Sequence, residues 1–377
     1  MTQNLTPSGI SSAIPSLDIS AELQQQVQSS IDLHSPLLIR GSNSKSFYGR
    51  YTADTSNILD LSNHIGIIDY DPTELVVTVR AGTRLQDLER LLADNQQILA
   101  FEPPQFSENS TIGGVISAGI SGPRRAFSGS VRDAILGVEM INGEGNIVQF
   151  GGQVMKNVAG YDMSRLMVRS MGTLGVILSL SLRVMPKPAR DVTFVFEMEQ
   201  DESLVFCRKW RSQHLPISAT CWYRGKIYLR LSGSDITLKA AQHKLSKARA
   251  FELLDNDAAF WLSIRNQTHP FFTHISKPLW RLSLPVNTPV IARFEGYLLT
   301  EWGGAQRWVS NNAPSNIIRA VVERQGGYAT LFNGQKHLPE VPPFPVLAPA
   351  LLALHKRLKR KLDPHNIFNP GRLYRDL

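Results

Sequence analysis

The sequence has 377 residues, of which 42% are hydrophobic and 19% are charged, and its formal net charge is +8 at pH 7. This length exceeds the size at which one hydrophobic core keeps growing, so we expect two domains of unequal size. No stretch approaches the roughly 20 apolar residues of a membrane-spanning helix, and residues 1–18 lack the pattern of a secretory signal. These features exclude an integral membrane protein and predict a cytoplasmic location.

The first part of the chain alternates short apolar strands with polar turns. A short amphipathic helix is predicted from Glu22 to Ile31, followed by LLIRGSNSK, a buried strand that turns into a polar, glycine-containing loop. The segments ILDLS, IGIIDYD and LVVTVRAGT predict successive strands. Thr83 is then the predicted N-cap of the helix RLQDLERLLADN, whose leucines form one apolar stripe.

Glycine-rich turns dominate the region between Thr111 and Val184, which contains TIGGVISAGISGPRR, NGEG and GTLGVILSLSLRV. Because glycine has no Cβ, such turns can bring peptide N–H groups against an anion and adopt positive φ angles. The turns are too many for one hairpin. We therefore expect several loops to converge on one phosphate-bearing ligand.

The composition changes at MPKPARD, where two prolines interrupt the glycine-rich pattern. Beyond it, strand-like segments such as VTFVFEM, KIYLRLSG and VIARFEGYL are mixed with helical ones, which predicts an antiparallel sheet with helices on one face. We expect a cofactor domain over residues 1–187, a smaller α+β domain over 188–330, and a C-terminal segment over 331–377 that returns to the first domain.

Cysteines and basic residues narrow the function classes. Cys207 and Cys221 do not form a CxxC or four-cysteine pattern, so we expect no iron–sulfur cluster or metal site in this chain. The two cysteines are expected to be partly buried thiols, with a disulfide as the alternative. The densest basic run, HKRLKRKLDPHN from His355, has leucines four residues apart. This spacing predicts the solvated face of a docked helix and, with no recognisable nucleic-acid module nearby, no nucleic-acid partner.

The motifs RGSNSK, TIGGVISAGISGPRR, GTLGVI and NPGR, in this order, resemble the FAD-binding domain of the PCMH-type and vanillyl-alcohol oxidase superfamily. The sequence contains neither a GxGxxG motif after a first strand nor a GxxxxGK[ST] motif, so it does not predict a Rossmann or phosphate-loop fold. The combination of KNVAGYD, SMGTLGVI and DPHNIFNPGR looks most like the glycolate oxidase and D-lactate dehydrogenase branch, and the short length is similar to the family of E-type subunits of bacterial glycolate oxidases. The resemblance implies an α+β fold: a two-subdomain PCMH-type FAD-binding domain and a smaller α+β cap domain with an antiparallel sheet.

The resemblance also assigns the two loops that would hold the FAD pyrophosphate, which needs amide donors because its buried charges are costly without partners. Lys45 and Arg125 are candidate charge partners, with a solvated surface position as the alternative for both. We expect the cofactor to be bound non-covalently, because the first loop has no histidine and no cysteine lies near Gly113. The predicted cofactor-binding residues are Arg40, Gly41, Ser42, Asn43, Ser44, Lys45, Ser110, Thr111, Gly113, Gly114, Gly119, Gly122, Arg125, Ser128, Gly175 and Val176.

Catalytic residues are harder to assign. Catalytic members of the resembled branch hold a 2-hydroxy acid with a histidine-rich metal site, and neither His269 and His274 in HPFFTH nor His337 matches it. Tyr161 is a weak candidate for a catalytic residue beside the flavin, and the alternative is that its hydroxyl is structural. Arg372 is a second weak candidate, and the alternative is that it anchors the C-terminus.

The resemblance implies partners: a larger FAD-containing catalytic subunit that carries the 2-hydroxy acid site, and an iron–sulfur subunit. We therefore predict an FAD-binding subunit of a glycolate-oxidising complex that relays electrons or supports assembly, is not active alone, and is either cytoplasmic or held at the inner membrane face by its partners. Two alternatives stay open. One is an autonomous FAD-dependent oxidoreductase acting on an alcohol or 2-hydroxy acid, and the other is a scaffold with a decayed flavin site.

Overall fold

The computed structural model describes residues 14–50, 57–152, 162–294, 298–333 and 338–377. The helices in these residues are α1 Ser20–Asp32, α2 Leu85–Asp94, α3 Ile112–Ala118, α4 Arg125–Ser128, α5 Val131–Ala134, α6 Met163–Met167, α7 Gln200–Ser212, α8 Asp235–Ser246, α9 Asp257–Arg265, α10 Pro270–Thr273, α11 Ser315–Glu323 and α12 Pro349–Leu362. The strands are β1 Leu38–Arg40, β2 Ile58–Asp60, β3 Ile67–Asp71, β4 Val76–Arg80, β5 Gln97–Ile98, β6 Ile135–Ile141, β7 Ile147–Gly151, β8 Val176–Arg183, β9 Met185–Pro186, β10 Arg190–Glu197, β11 Ile217–Tyr223, β12 Lys226–Gly233, β13 Glu252–Leu253, β14 Leu279–Ser283, β15 Leu298–Glu301, β16 Gln306–Ser310 and β17 Tyr328–Leu331. Within these ranges, no helix has the length and apolar character needed to cross a bilayer.

An antiparallel sheet of five strands, in the order β3-β4-β8-β6-β7, forms the centre of the first half of the molecule. Its middle strand, β8, is buried along its length apart from Arg183. The predicted strand VILSLSLRV is therefore confirmed, and its aliphatic side chains form the core together with those of β4, β6 and α2. The turn between β6 and β7 uses the predicted NGEG sequence, with Gly145 at a φ of 77°.

A small parallel pair, β1 with β2, lies beside this sheet and is completed by the C-terminus of the chain. Leu37 bridges Phe368 in parallel, and Leu37 N–H donates to the carbonyl of Ile367 at 2.7 Å. Ile367 and Phe368 are buried in the same core as the five-stranded sheet. The C-terminal segment thus packs on the first half of the chain, although the domain boundaries at residues 187 and 330 stay predictions.

The second half contains an antiparallel sheet of eight strands in the order β13-β10-β12-β11-β15-β16-β14-β17. If each half of this sheet is numbered along the chain, both halves have the order 4-1-3-2 from the outer edge inwards, and β11 pairs with β15 where they meet. Helices α7 and α8 in one half and α11 in the other pack on these strands. The α+β class and the antiparallel second sheet are confirmed.

Three local predictions are wrong. The N-cap of α2 is Arg84 instead of Thr83, because the Thr83 hydroxyl is engaged by Gly66 N–H at 2.9 Å. The segment VIARFEGYL was predicted as one strand, but Ala292–Phe294 is a 3-10 helix and the strand begins at Leu298. In the basic run of α12, Lys359 is buried instead of solvated, since its ammonium donates to main-chain carbonyls inside the fold.

Candidate cofactor site

A cavity of about 210 Å³ opens where the end of β1, the first turn of α3, the start of β8 and the C-terminal segment meet. Its walls combine main chain, small polar side chains and a few aliphatic ones. The lining residues are Leu38, Ile39, Arg40, Gly41, Ser42, Asn43, Ser44, Lys45, Ser46, Tyr48, Leu61, Ala81, Thr111, Gly113, Gly114, Ser117, Ala118, Met171, Gly172, Gly175, Ile177, Asn369 and Arg372.

The loop after β1, residues 41–45, presents its main chain to this cavity. No described residue accepts a hydrogen bond from the backbone N–H groups of this loop. Asn43 has a φ of 58°, which turns the loop back on itself. A Cβ on Gly41 would lie 2.5 Å from Thr111 Oγ1, so the two loops approach each other closely only because this residue is glycine. Amides without acceptors on a cavity wall form a cradle for an anion.

The second loop, at the start of α3, offers fewer free amide donors to the cavity than the sequence predicts. The N–H groups of Ile112 and Gly113 donate to the carbonyls of Thr83 and Ala81, at 2.9 and 2.8 Å. The N–H of Gly114 has only a long contact of 3.3 Å with Thr111 Oγ1. Gly113 is required for packing, since a Cβ there would lie 2.7 Å from the Cβ of Ala81. Most of the available amide donors therefore belong to the first loop.

Lys45 is the cation of the first loop. Its ammonium lies 3.4 Å from Ser44 Oγ, and no acidic group in the described part of the chain lies within salt-bridge distance of it. Burial lowers the pKa of Lys45 to about 8, because the charged form loses its hydration without gaining a counter-ion. An anion in the cavity would supply that counter-ion.

Arg372 and Asn369 join the C-terminal NPGR turn to the first loop. The Arg372 guanidinium donates to the carbonyls of Ser46 and Tyr48, at 2.8 and 2.7 Å, and burial lowers its pKa to about 10. Asn369 accepts from Ile39 N–H and donates to the carbonyl of Met171, both at 2.8 Å. Arg372 lies at the cavity wall, but its donors hold the loop in shape.

Several residues predicted for the site lie outside the cavity wall. Ser110 supports the first loop from behind, with its hydroxyl 3.0 Å from that of Ser44. Arg125 stacks over the ring of Trp302 at 4.5 Å, and burial lowers its pKa. The other four have structural positions. Gly119 is the C-cap of α3, and Gly122 closely approaches the carbonyl of Glu102. Ser128 ends α4, and Val176 begins β8 in the core.

Among the described residues, the candidates for acid–base or metal chemistry do not form a catalytic set. Tyr161 and His337 lie outside the described residues. His269 caps α10 by accepting from Phe271 N–H at 3.2 Å, and burial lowers its pKa, while His274 is exposed. The described ranges contain no group of three or more histidine, cysteine, aspartate or glutamate residues that could hold a metal.

Sequence reasoning missed Tyr48, which is fully buried at the cavity wall. Its hydroxyl accepts from Arg281 at 2.9 Å and from Arg169 at 3.3 Å, and its ring lies 5.2 Å from that of Phe332. Tyr48 therefore connects the cofactor cavity to the eight-stranded sheet. Its position three residues after Lys45 in SKSFYGR was the available signal, but its partners are remote in sequence.

These features fit a diphosphate-bearing cofactor. The first loop offers free amides and one unpaired cation to an anion, and the wall beyond it is apolar, with Leu38, Leu61 and Ile177 available for flat ring systems.

Comparison with known proteins identifies this cofactor. Residues 16–151 match the family model described as the FAD binding domain, and residues 347–373 match that of the C-terminal domain of FAD linked oxidases. Over 96% of this chain and 99% of the relative, the sequence is 42% identical to the glycolate oxidase subunit GlcE of Escherichia coli strain K12. The chain belongs to the GlcE family.

More distant matches cover part of the sequence or share the fold. The glycolate oxidase subunit GlcD of Bacillus subtilis strain 168 is 33% identical over 42% of this chain and 34% of its own length. Among solved structures, p-cresol methylhydroxylase with substrate bound superposes with a TM-score of 0.71 at 15% identity, covering 96% of this chain and 88% of that one. This GlcE-family chain therefore has the fold of PCMH-type flavoproteins and contains an FAD-binding domain.

Proposed function

We propose that this chain is the subunit of a glycolate-oxidising assembly that holds FAD non-covalently and either relays electrons or supports assembly, without oxidising glycolate by itself. The observation that carries the proposal is the first loop: the free amides of residues 41–45 and the unpaired Lys45 face a cavity. The chain is related over 96% of its length to a glycolate oxidase subunit. Of the cofactor-binding residues predicted from sequence, those that line the cavity are proposed on the same ground.

In this proposal the first loop binds the pyrophosphate through its amides, and the Lys45 ammonium balances one of the two charges. Thr111 and Gly114 complete the contact from the start of α3. Bound FAD would supply the capacity to accept a hydride or two electrons. Arg372 acts as a positioning residue, because its guanidinium ties the carbonyls of Ser46 and Tyr48.

Non-covalent binding follows from the chemistry of the wall. Among the described residues that line the cavity there is no histidine and no cysteine. Cys207 and Cys221 are buried in the other half of the molecule, where desolvation raises the pKa of both thiols. The described wall residues thus include no imidazole or thiol that could form a bond to the isoalloxazine.

The need for partners follows from what the described site lacks: a placed general base and a group of metal ligands. Electrons that reach the bound flavin need an acceptor. We propose a larger FAD-containing catalytic subunit, with the 2-hydroxy acid site, and an iron–sulfur subunit as the partners, and a cytoplasmic position or one at the inner membrane face through them.

The test compares the purified chain with the assembly purified from its native host. We expect the chain alone to be yellow, to release its FAD into the supernatant on acid precipitation, and to keep an oxidised flavin spectrum when glycolate is added without oxygen. The assembly should bleach with glycolate. Rapid bleaching of the chain alone would make it an autonomous oxidoreductase, and a colourless chain that FAD does not stabilise against heat would make it a scaffold.

A further inference from the structure

The first half of α12 and the residues before it form an apolar run that the described structure leaves uncovered. Residues 346–354 read VLAPALLAL, nine residues in succession without a polar side chain. None of the nine is buried, and Val346, Leu351 and Leu354 are 81%, 43% and 53% exposed. The other exposed large hydrophobic residues of the described chain stand singly in the sequence. A contiguous exposed apolar surface is typical of an interaction site.

The two halves of α12 differ in what they contact. In the second half, Leu358 and Leu362 pack against the core of the five-stranded sheet, and Lys359 is held there by its buried ion pair. Leu354 lies one turn earlier on the same stripe and is exposed. The predicted leucine stripe therefore continues beyond the docked part of the helix. We call residues 346–354 the apolar segment.

The exposed side of the second half of α12 is basic. Between residues 341 and 362 the sequence contains no aspartate or glutamate. Arg357, Arg360 and Lys361 are exposed, and no carboxylate in the described part of the chain lies within salt-bridge distance of them. Residues three or four positions apart share one face of a helix, so these cations continue the exposed face of the apolar segment.

We propose that this surface is the docking site for a partner subunit that presents an apolar groove edged by carboxylates. The groove takes Leu351 and Leu354 as anchors, since helices bind grooves through residues three and four positions apart. Its carboxylates pair with the three cations, because charge complementarity across an interface selects the correct partner. The inference rests on the proposed function, which requires partner subunits.

Two other occupants fit the surface less well. A second copy of this chain also has a net charge of +8, and its own residues 341–362 offer no carboxylate to the cations. A helix that lies in a membrane surface presents its apolar face along its length, whereas Leu358 and Leu362 already pack on the protein. A partner subunit satisfies both the apolar and the basic part of the surface.

The experiment replaces the chain in its native host by a tagged full-length chain and purifies what it holds. Partner retention is measured as glycolate-reducible flavin per tagged chain, which the chain alone should not show. We expect the double variant Leu351→Gln with Leu354→Gln to retain at least tenfold less than the wild type. Leu262→Gln is the control, because this leucine of α9 is 51% exposed and lies outside the surface.

The basic half is tested by the double variant Arg357→Glu with Arg360→Glu, which should also lower retention at least tenfold. The control is Lys239→Glu with Lys244→Glu, which changes the net charge equally at two exposed lysines of α8 and should retain the partner fully. All variants purified alone should keep the FAD content and melting temperature of the wild type, because the substituted side chains are exposed. This separates lost docking from lost folding.

The outcomes distinguish the two proposals. A wild-type chain that retains no glycolate-reducible flavin would overturn the proposed function, and this inference with it. Equal retention by the wild type and both α12 variants overturns this inference alone. So does a dimer of the purified chain that the glutamine variant dissociates, or binding to phosphatidylglycerol vesicles that this variant abolishes, since either result assigns the surface to another occupant.

Discussion

At the scale of single residues, Lys45 is a cation that has no acidic partner in the described part of the chain. Burial lowers its pKa to about 8 in the free protein, and a bound diphosphate would raise that pKa again. Proton uptake is then coupled to FAD binding, so affinity should be full below pH 8 and fall above it, by up to about tenfold per pH unit. Titrations of apoprotein with FAD between pH 7 and 9.5 measure this slope.

The matched variants for Lys45 are Lys45→Arg and Lys45→Met. Arginine stays charged across this pH range, so the affinity of the Lys45→Arg variant for FAD should not change with pH. The Lys45→Met variant should bind FAD weakly at every pH. A slope that survives in the methionine variant would assign the titration to another group.

Gly41 tests the close approach of the two loops. A Cβ there would meet Thr111 Oγ1 at 2.5 Å, and Thr111 is itself fixed as the N-cap of α3. We expect Gly41→Ala to push the first loop away from the cavity and to weaken FAD binding at least tenfold. Gly152→Ala is the control, since nothing lies within 4 Å of a Cβ at that position. Equal affinities in both variants would show that the loop tolerates the displacement.

At the scale of secondary-structure elements, α12 is fixed by a buried ion pair. Lys359 donates to Asp363 and to the carbonyls of Thr173 and Phe368, at 2.8 and 2.9 Å, while Asp363 accepts from the N–H groups of Ile367 and Phe368. Breaking a buried pair leaves an uncompensated charge, which costs about 3–5 kcal/mol. We expect Lys359→Met to lower the free energy of unfolding in urea by this amount.

The exposed pair of Lys356 with Asp376, at 3.0 Å, is the control for that substitution. Lys356→Met should cost less than about 1 kcal/mol, because solvent screens an exposed pair. If both lysine substitutions cost the same, the buried pair does not hold the helix.

Residues whose role depends on neighbours in the sequence could be predicted, whereas residues such as Lys359 of α12, whose partners are distant in the sequence, could not. The loop RGSNSK, the glycines of α3 and strand β8 have local signatures: a polar turn after a strand, small residues before a helix, and a continuous apolar run. Lys359 has the same local pattern as its solvated neighbours, since its partners include the carbonyl of Thr173, far away in the chain. Tyr48 was missed for the same reason, because its hydroxyl is engaged by Arg281 of β14.

At the scale of the whole molecule, the sequence has no visible internal repeat, yet the eight-stranded sheet repeats one strand order. Strand order depends on backbone pairing between distant segments, which different side chains can satisfy equally well. The α+β class and the antiparallel pattern were predictable because they follow from the alternation along each strand. The duplication, and the way in which both halves meet at β11 and β15, required the structure.

The two halves of the molecule are joined by a charged cluster around Glu102. This carboxylate accepts from Arg230 of β12 at 2.9 Å and from Arg124 at 3.2 Å, and Arg124 also reaches Asp191 of β10 at 3.1 Å. Burial alone would raise the pKa of Glu102, but the guanidiniums outweigh it and lower that pKa. The cluster therefore stabilises the folded protein above the normal pKa of a glutamate and loses this effect as the pH falls through the lowered one.

We expect Glu102→Gln to leave two guanidiniums without their shared carboxylate and to lower the stability at pH 7 by about 3–5 kcal/mol. Because the cluster spans both halves, unfolding should also become less cooperative, with the eight-stranded half melting at a different temperature from the FAD-binding half. Calorimetry with and without FAD separates the two, since only the FAD-binding half gains stability from the cofactor. Glu197→Gln, which removes an exposed pair with Lys226 at 3.6 Å, should leave one transition at the original temperature. A single unshifted transition in Glu102→Gln would mean that other contacts, such as those of Tyr48 with Arg281 and Phe332, join the two halves without help from the Glu102 cluster.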